Sequence, residues 1–284
     1  MDSDQSFTQE TPVEAPPADL YRCETIAQGV KRLEDLEEEH IRFFHEQGYL
    51  IVHQVFEAAP IKAAYQAIDD LMDGKREDFK GLQFEFKAGD LENLSPAERR
   101  LAVRKLMNFV DYDERFEVMS HHPGILAVLE RLIGATPLLF QDMALLKPPR
   151  IGREKPWHQD CAYFNLPLGT AVVATWIALE RATPENGCLH LIPGSHHNGP
   201  MPHFWKRDWQ ICDTDLSLDR NVMVALEPGG CLFWHGMLHH ASPPNQSDRS
   251  RRALQFHYKS SSAGEITLEE RMELFGGEAM GAEC

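Results

Sequence analysis

Three residues with metal-binding chemistry constrain this 284-residue chain more than any other feature. His158 and Asp160 lie two apart in Trp157-His158-Gln159-Asp160, and a third candidate follows about 80 residues later in Leu238-His239-His240-Ala241-Ser242. In a strand, residues i and i+2 point to the same face, so His158 and Asp160 can grip one ion while Gln159 points away. The third ligand must come from another strand, which explains the long gap to His240. Two imidazoles and one carboxylate are the donor set for non-haem Fe(II) that keeps positions open for other ligands. Arg251 follows His240 by eleven residues (251 − 240).

Composition narrows the partners. The net charge is −16, from 28 Lys and Arg against 44 Asp and Glu, and no basic stripe exists to neutralise phosphates. That argues against nucleic acid and disfavours an anionic membrane surface. No stretch approaches the ~18 apolar residues of a membrane span. The six cysteines (Cys23, Cys161, Cys188, Cys212, Cys231 and Cys284) form no CxxC pair, which suits free thiols in a reducing compartment. The N-terminus lacks an apolar signal core, and Gly-Ala-Glu-Cys is not a peroxisomal address, so a cytoplasmic protein is expected.

Along the chain, residues 1–30 are polar and Pro-containing and read as a mobile tail. One domain is expected over residues 31–262, with a C-terminal tail and short helix over 263–284. Leu33, Leu36, Ile41, Phe43 and Phe44 form an apolar stripe at helical spacing, stopped by Gly48. Tyr49 to Val52 reads as a strand, and Ile61 to Met72 and Ile125 to Ile133 as amphipathic helices. Lys75 to Arg99 is charged and weakly patterned, an excursion at the surface or over the site. From about residue 136 short strands dominate: Leu138 to Leu146, Ala171 to Leu179, Cys188 to Ile192, Asn221 to Leu226, Gly230 to His235 and Arg252 to Tyr258. Turn signals such as Asn186-Gly187, Pro193-Gly194 and Pro228-Gly229 separate several of them. The pattern predicts a mainly β fold, a sandwich or jelly roll, with the N-terminal helices packed outside it.

The order His158-x-Asp160, then His240, then Arg251 resembles the phytanoyl-CoA dioxygenase family of Fe(II)/2-oxoglutarate oxygenases. Gly187-Cys188-Leu189, Pro193-Gly194-Ser195-His196, His240-Ala241-Ser242 and Asn245 with Arg251-Arg252-Ala253-Leu254 are similar to that family's linking and distal segments. The likeness spans roughly residues 35 to 262. It implies a double-stranded β-helix, cupin-like, with Fe(II) held by His158, Asp160 and His240. It also implies 2-oxoglutarate bound through Arg251, Lys105, Met143 and Trp176, with O2 as the oxidant. A planar guanidinium at Arg251 suits a carboxylate in a way that lysine does not. On residues alone His239 competes with His240; adjacent strand residues face opposite ways, and the family's His-small-Ser pattern favours His240. The implied reaction is hydroxylation of a small organic substrate of acyl-CoA, compatible-solute or natural-product type, releasing succinate and CO2. Related iron halogenases carry Ala or Gly where Asp160 stands here, so halogenation is not expected.

Two other classes compete: a cupin-like metalloenzyme that does not use 2-oxoglutarate, and a metal-dead binding protein. Arg251 argues against the first and the intact donor set against the second. For substrate contact the candidates are Trp205, Trp209 and Phe164. The connection from Ser195 to Arg220 is long and unpatterned, and its aromatics could cover an apolar substrate. The alternative is that Trp205 and Trp209 only pin the connection to the barrel.

Overall fold

The computed structural model describes residues 15–85 and 91–284. Among these, thirteen strands run in chain order. They are β1 (Tyr49–Val52), β2 (Leu82–Phe84), β3 (Val103–Met107), β4 (Pro137–Lys147), β5 (Lys155–His158), β6 (Val172–Ala178), β7 (Leu189–Leu191), β8 (His203–Trp205), β9 (Trp209–Ile211), β10 (Val222–Val224), β11 (Cys231–His235), β12 (His240–Ser242) and β13 (Arg251–Ser260). The α-helices are α1 (Glu38–Gln47), α2 (Ala58–Met72), α3 (Pro96–Leu101), α4 (Glu114–Ser120), α5 (Pro123–Ile133) and α6 (Leu268–Phe275).

Two antiparallel sheets face each other as a jelly roll. The larger has the order β1-β11-β6-β13-β4-β3-β2, the smaller β10-β7-β12-β5, and β8-β9 form a separate ribbon. Period-two alternation fixes which side chains meet in the middle. On β11, Cys231 and Phe233 pack under the helices, whereas Leu232 and Trp234 fill the space between the sheets. On β6, Val173 and Ile177 join the helix side while Ala174, Trp176 and Ala178 face inward. On β13, Leu254, Phe256 and Tyr258 pack under the helices, which leaves Arg251, Ala253, Gln255 and His257 for the interior. The apolar faces of α1, α2, α4 and α5 cover the outer side of the large sheet through Phe44, Ile68, Phe116 and Leu129.

The helix ends follow from the sequence. α1 stops at Gly48, whose φ of +83° closes the Gly48 N–H onto Phe44 O at 2.7 Å. A Cβ there would also come within 2.6 Å of His196 Nδ1. α5 begins at Pro123 and ends at Gly134, φ +73°.

The strands expected from residue 136 onward are present with edges moved by a residue or two. Three expectations change. Residues 15–30 are not a free tail: Leu20 and Ala27 are each 4% exposed. There the Ala27 N–H donates to Met223 O and the Val30 N–H to Ile51 O. A few anchoring side chains outweigh the segment's polar composition; residues 1–14, like 86–90 of the expected excursion, lie outside the described residues. The six cysteines are not all free, because Cys212 and Cys284 form a disulfide while Cys23, Cys161, Cys188 and Cys231 stay reduced. Finally, β5 ends at His158, and Asp160 opens a 3-10 turn, Asp160–Tyr163, instead of continuing the strand. No described helix is long and apolar enough to cross a membrane.

Lys147 joins the two sheets. Its buried ammonium group donates to Arg153 O (2.7 Å), Ser242 O (3.2 Å) and Pro243 O (2.5 Å), linking the end of β4 to the end of β12. Lys147→Met leaves those carbonyls without the donor and should cost about 2–3 kcal/mol. Urea unfolding checks this; an unchanged midpoint contradicts it.

Candidate active site

The site forms where β5 and β12 pair. His158 and His240 are direct cross-strand partners, with ring centroids 4.2 Å apart. Each Nδ1 donates to a backbone carbonyl two residues back, His158 to Pro156 O (2.8 Å) and His240 to Leu238 O (2.9 Å). Those bonds fix the tautomer and turn both Nε2 lone pairs inward. Each Nε2 lies 3.5 Å from Asp160 Oδ1. The donor atoms of His158, Asp160 and His240 all fall within 4.8 Å of one another, and all three residues are buried. His239 faces the other way from His240 and outside this group, its N–H bonded to Ser195 Oγ.

Electrostatics favour a cation there. Burial, reinforced by His240, pushes the His158 imidazole down to about 4, so it is a neutral lone-pair donor at pH 7. Burial raises the Asp160 carboxyl, but His240, His257 and His158 around it hold it well below the usual carboxylate range. The second oxygen, Oδ2, accepts from Trp234 Nε1 at 2.9 Å and contacts His257 Nε2 at 3.0 Å. Gln159 does turn away: its amide donates to Gly199 O and Met237 O and accepts from the Met201 N–H.

A cavity of about 200 Å³ opens beside the three residues. Its far wall is the inner face of the large sheet. Met143, Gln255 and Trp176 stand in one row across β4, β13 and β6. Lys105 on β3 pairs with Leu145 of β4. Lys105, Met143, Phe164, Gln255 and Arg251 all line the cavity. Trp176 lies behind Arg251, whose guanidinium carbon is 5.2 Å from the indole. Arg251 is 2% exposed, yet its Nε and Nη1 have no hydrogen-bond partner. Burial lowers its pKa to about 10, still charged at neutral pH. An uncompensated buried cation is costly, and an anion in the cavity would satisfy it. Lys105, also on the wall, is pushed down to about 7 by burial and by Lys155 and Arg104 beside it.

Other residues on and behind the cavity wall were not singled out by the sequence. Lys155 Nζ binds Asp208 (2.8 Å) and the Tyr163 hydroxyl (2.7 Å). Arg207 bridges Glu154 and Asp213, and Tyr21 from the N-terminal segment donates to Glu154 at 2.6 Å. Gln255 and His257 carry a usable signal: both continue the alternation that begins at Arg251, so they share its face.

The tryptophans are elsewhere. Neither Trp205 nor Trp209 lines the cavity. Trp209 is 4% exposed and packs with Ala162, Met237 and Phe275, while Trp205, its partner across the β8-β9 ribbon, is 47% exposed. A two-stranded ribbon puts directly paired residues on one face, so the two indoles lie side by side, 5.2 Å apart, Trp209 buried and Trp205 exposed. Arg252, opposite in direction to Arg251, pairs with Asp69 of α2 at 2.7 Å.

The fold and this constellation define a non-haem iron, 2-oxoglutarate-dependent oxygenase on a jelly-roll core. The chain belongs to the phytanoyl-CoA dioxygenase (PhyH) family, whose description matches residues 44–253. It is 29% identical over 247 residues to a probable phytanoyl-CoA dioxygenase of Caenorhabditis elegans, covering 78% of this chain and 75% of that one. It is 28% identical to mouse phytanoyl-CoA dioxygenase domain-containing protein 1, covering 76% and 88%. Among solved structures it is similar to the carbocyclase SnoK from nogalamycin biosynthesis, at TM-score 0.65 and 22% identity over 84% of this chain and 90% of that one. A second is EvdO2 from Micromonospora carbonacea var. aurantiaca complexed with 2-oxoglutarate, at TM-score 0.62 and 22% identity over 82% and 94%. Iron, 2-oxoglutarate and O2 are the cofactor and co-substrates of this class.

Because Trp209 supports the turn that carries Asp160, it acts in stability first. Trp209→Ala should cost about 3–5 kcal/mol. Thermal or urea unfolding of the variant measures it, and a loss under 1 kcal/mol would place the indole outside the packed core.

Proposed function

We propose that this oxygenase hydroxylates a small organic substrate, with His158, Asp160 and His240 holding iron and Arg251 anchoring 2-oxoglutarate. The observation that carries the reading is the buried, unpartnered Arg251 guanidinium lining the same cavity as the His-Asp-His group. A dicarboxylate can span the two: one end chelates the metal while the other meets Arg251 as a charge-assisted pair. Lys105 and Met143 line that path, and Trp176 holds the guanidinium from behind. When bound, iron with 2-oxoglutarate and O2 supplies the oxidising power that cleaves a C–H bond, with succinate and CO2 released. The protein's own work is placement and shielding. The neutral imidazoles and Asp160 provide three donors from one side, and Phe164 and Met107 give the substrate apolar wall. The ion pairs Lys155–Asp208 and Glu154–Arg207 brace the part of the cavity wall that Lys155 and Glu154 form. With Asp160 in the donor set, no position is freed there for a halide, which favours hydroxylation. The substrate classes that this reading takes in are acyl-CoA, compatible-solute and natural-product molecules. A reducing, cytoplasmic setting is part of the reading; the four free thiols support it and the Cys212–Cys284 bond opposes it.

Three outcomes test this. His240→Ala should lose Fe(II) and turnover, whereas His239→Ala should keep both; the reverse result would move the ligand to His239. Arg251→Leu should weaken 2-oxoglutarate binding by about 2–4 kcal/mol while iron affinity stays near wild type. Equal co-substrate affinity in calorimetry of the two proteins sinks the anchor. For Lys105, a pKa near 7 in the free protein means that an anion bound beside it raises that pKa. Binding then takes up a proton above pH 7, and 2-oxoglutarate affinity should fall by up to about tenfold per pH unit between the free and bound values. Lys105→Met should flatten that profile; an unchanged slope rules the lysine out.

A further inference from the structure

The two oxygens of Asp160 have different surroundings. Oδ1 looks toward the two histidine Nε2 atoms. Oδ2 looks the other way, onto the large sheet, where Trp234 Nε1 donates at 2.9 Å and His257 Nε2 lies at 3.0 Å. The sheet register brings these two rings together. Ala174 on β6 pairs with Trp234 of β11 on one side and with His257 of β13 on the other. The three residues therefore form one row across three strands, all fully buried, with a methyl group between two large rings. The rings are 6.3 Å apart at 78°, leaning toward the same oxygen from either side. His257 Nε2 also lies 3.2 Å from the Gln255 side-chain nitrogen, but the carboxylate oxygen Oδ2 can only accept, so the ring hydrogen belongs on Nε2, directed at Oδ2.

We propose that Trp234, Ala174 and His257 form a clamp that holds Asp160 as a one-oxygen ligand and so preserves the coordination positions that 2-oxoglutarate and O2 require. A free carboxylate beside a cation can swing to bind through both oxygens, which consumes a further position. Two donors on Oδ2 occupy the lone pairs that such a swing needs. Trp234 and His257 are positioning residues: neither lines the cavity, and both act through Asp160. Ala174 matters because a larger side chain in the middle of the row would spread the two rings away from Oδ2. The inference rests on the reading of His158, Asp160 and His240 as the metal ligands.

The experiment loads metal-free protein with Co(II), whose visible absorption reports coordination number, and then titrates 2-oxoglutarate anaerobically. The proteins are wild type, His257→Leu, His257→Gln and Trp234→Phe. His257→Leu and Trp234→Phe should bind 2-oxoglutarate about tenfold more weakly, with a smaller change in Co(II) affinity and a spectrum already of higher coordination before it is added. His257→Gln, whose amide N–H replaces the imidazole donor, should recover most of the affinity and the wild-type spectrum. A residue that merely fills space would not be rescued by glutamine in preference to leucine. Wild-type 2-oxoglutarate affinity in both His257→Leu and Trp234→Phe overturns the clamp, as does a glutamine variant no better than leucine. If His257→Leu does not fold, Trp234→Phe decides by the same criterion. A wild-type protein that takes up no Co(II) overturns the metal reading itself, a failure distinct from that of the clamp.

Discussion

Everything in this site depends on one antiparallel pairing, β5 against β12, which sets His158 opposite His240. Neither strand is long, and their sequences, Lys155–His158 and His240–Ser242, would not hold together alone. The large sheet supports them from the other side: Lys147 reaches across to the end of β12, and the row of Trp234, Ala174 and His257 reaches across to Asp160. Polar contacts between sheets are costly to bury unless complete. Both oxygens of Asp160 have partners, whereas Nε and Nη1 of the Arg251 guanidinium have none.

The electrostatic contrast is local. The chain carries a net charge of −16, yet the cavity wall has Arg104, Lys105, Lys147, Arg153, Lys155 and Arg251 against Glu85, Glu154 and Asp160. Most of these cations have acidic or carbonyl partners: Arg153 meets Glu85, Lys155 meets Asp208, and Lys147 meets three carbonyls. Arg251 does not. Net charge governs long-range behaviour, whereas what a pocket binds is set by the groups left unpaired inside it.

How much of this was legible in the sequence varies by cause. That His158, Asp160, His240 and Arg251 meet at one cavity was readable because their chemistry is rare in combination and their order is distinctive. The long strands were readable because alternation persists, as in Val172–Ala178 and Arg251–Ser260. At Asp160 strand alternation is only part of the cause, since the strand ends at His158 and a 3-10 turn, not pleating, brings the carboxylate round. The clamp was hidden because register between β11, β6 and β13 is a property of the assembled sheet. Trp209 looked like a substrate contact because an aromatic in an unpatterned connection has the same appearance whether it faces a cavity or a core. The Cys212–Cys284 bond and the ordered segment 15–30 were missed for a related reason: composition reports averages, and a few anchoring residues decide the outcome.

The central claim is that the His-Asp-His group and Arg251 share one dicarboxylate. Anaerobic calorimetry of 2-oxoglutarate, with and without Fe(II), tests it most directly, with the visible charge-transfer band of the chelate as a second readout. Binding should be strong only in the Fe(II)-loaded protein and should appear together with the band. Equal affinity with and without metal, or binding without the band, would contradict it.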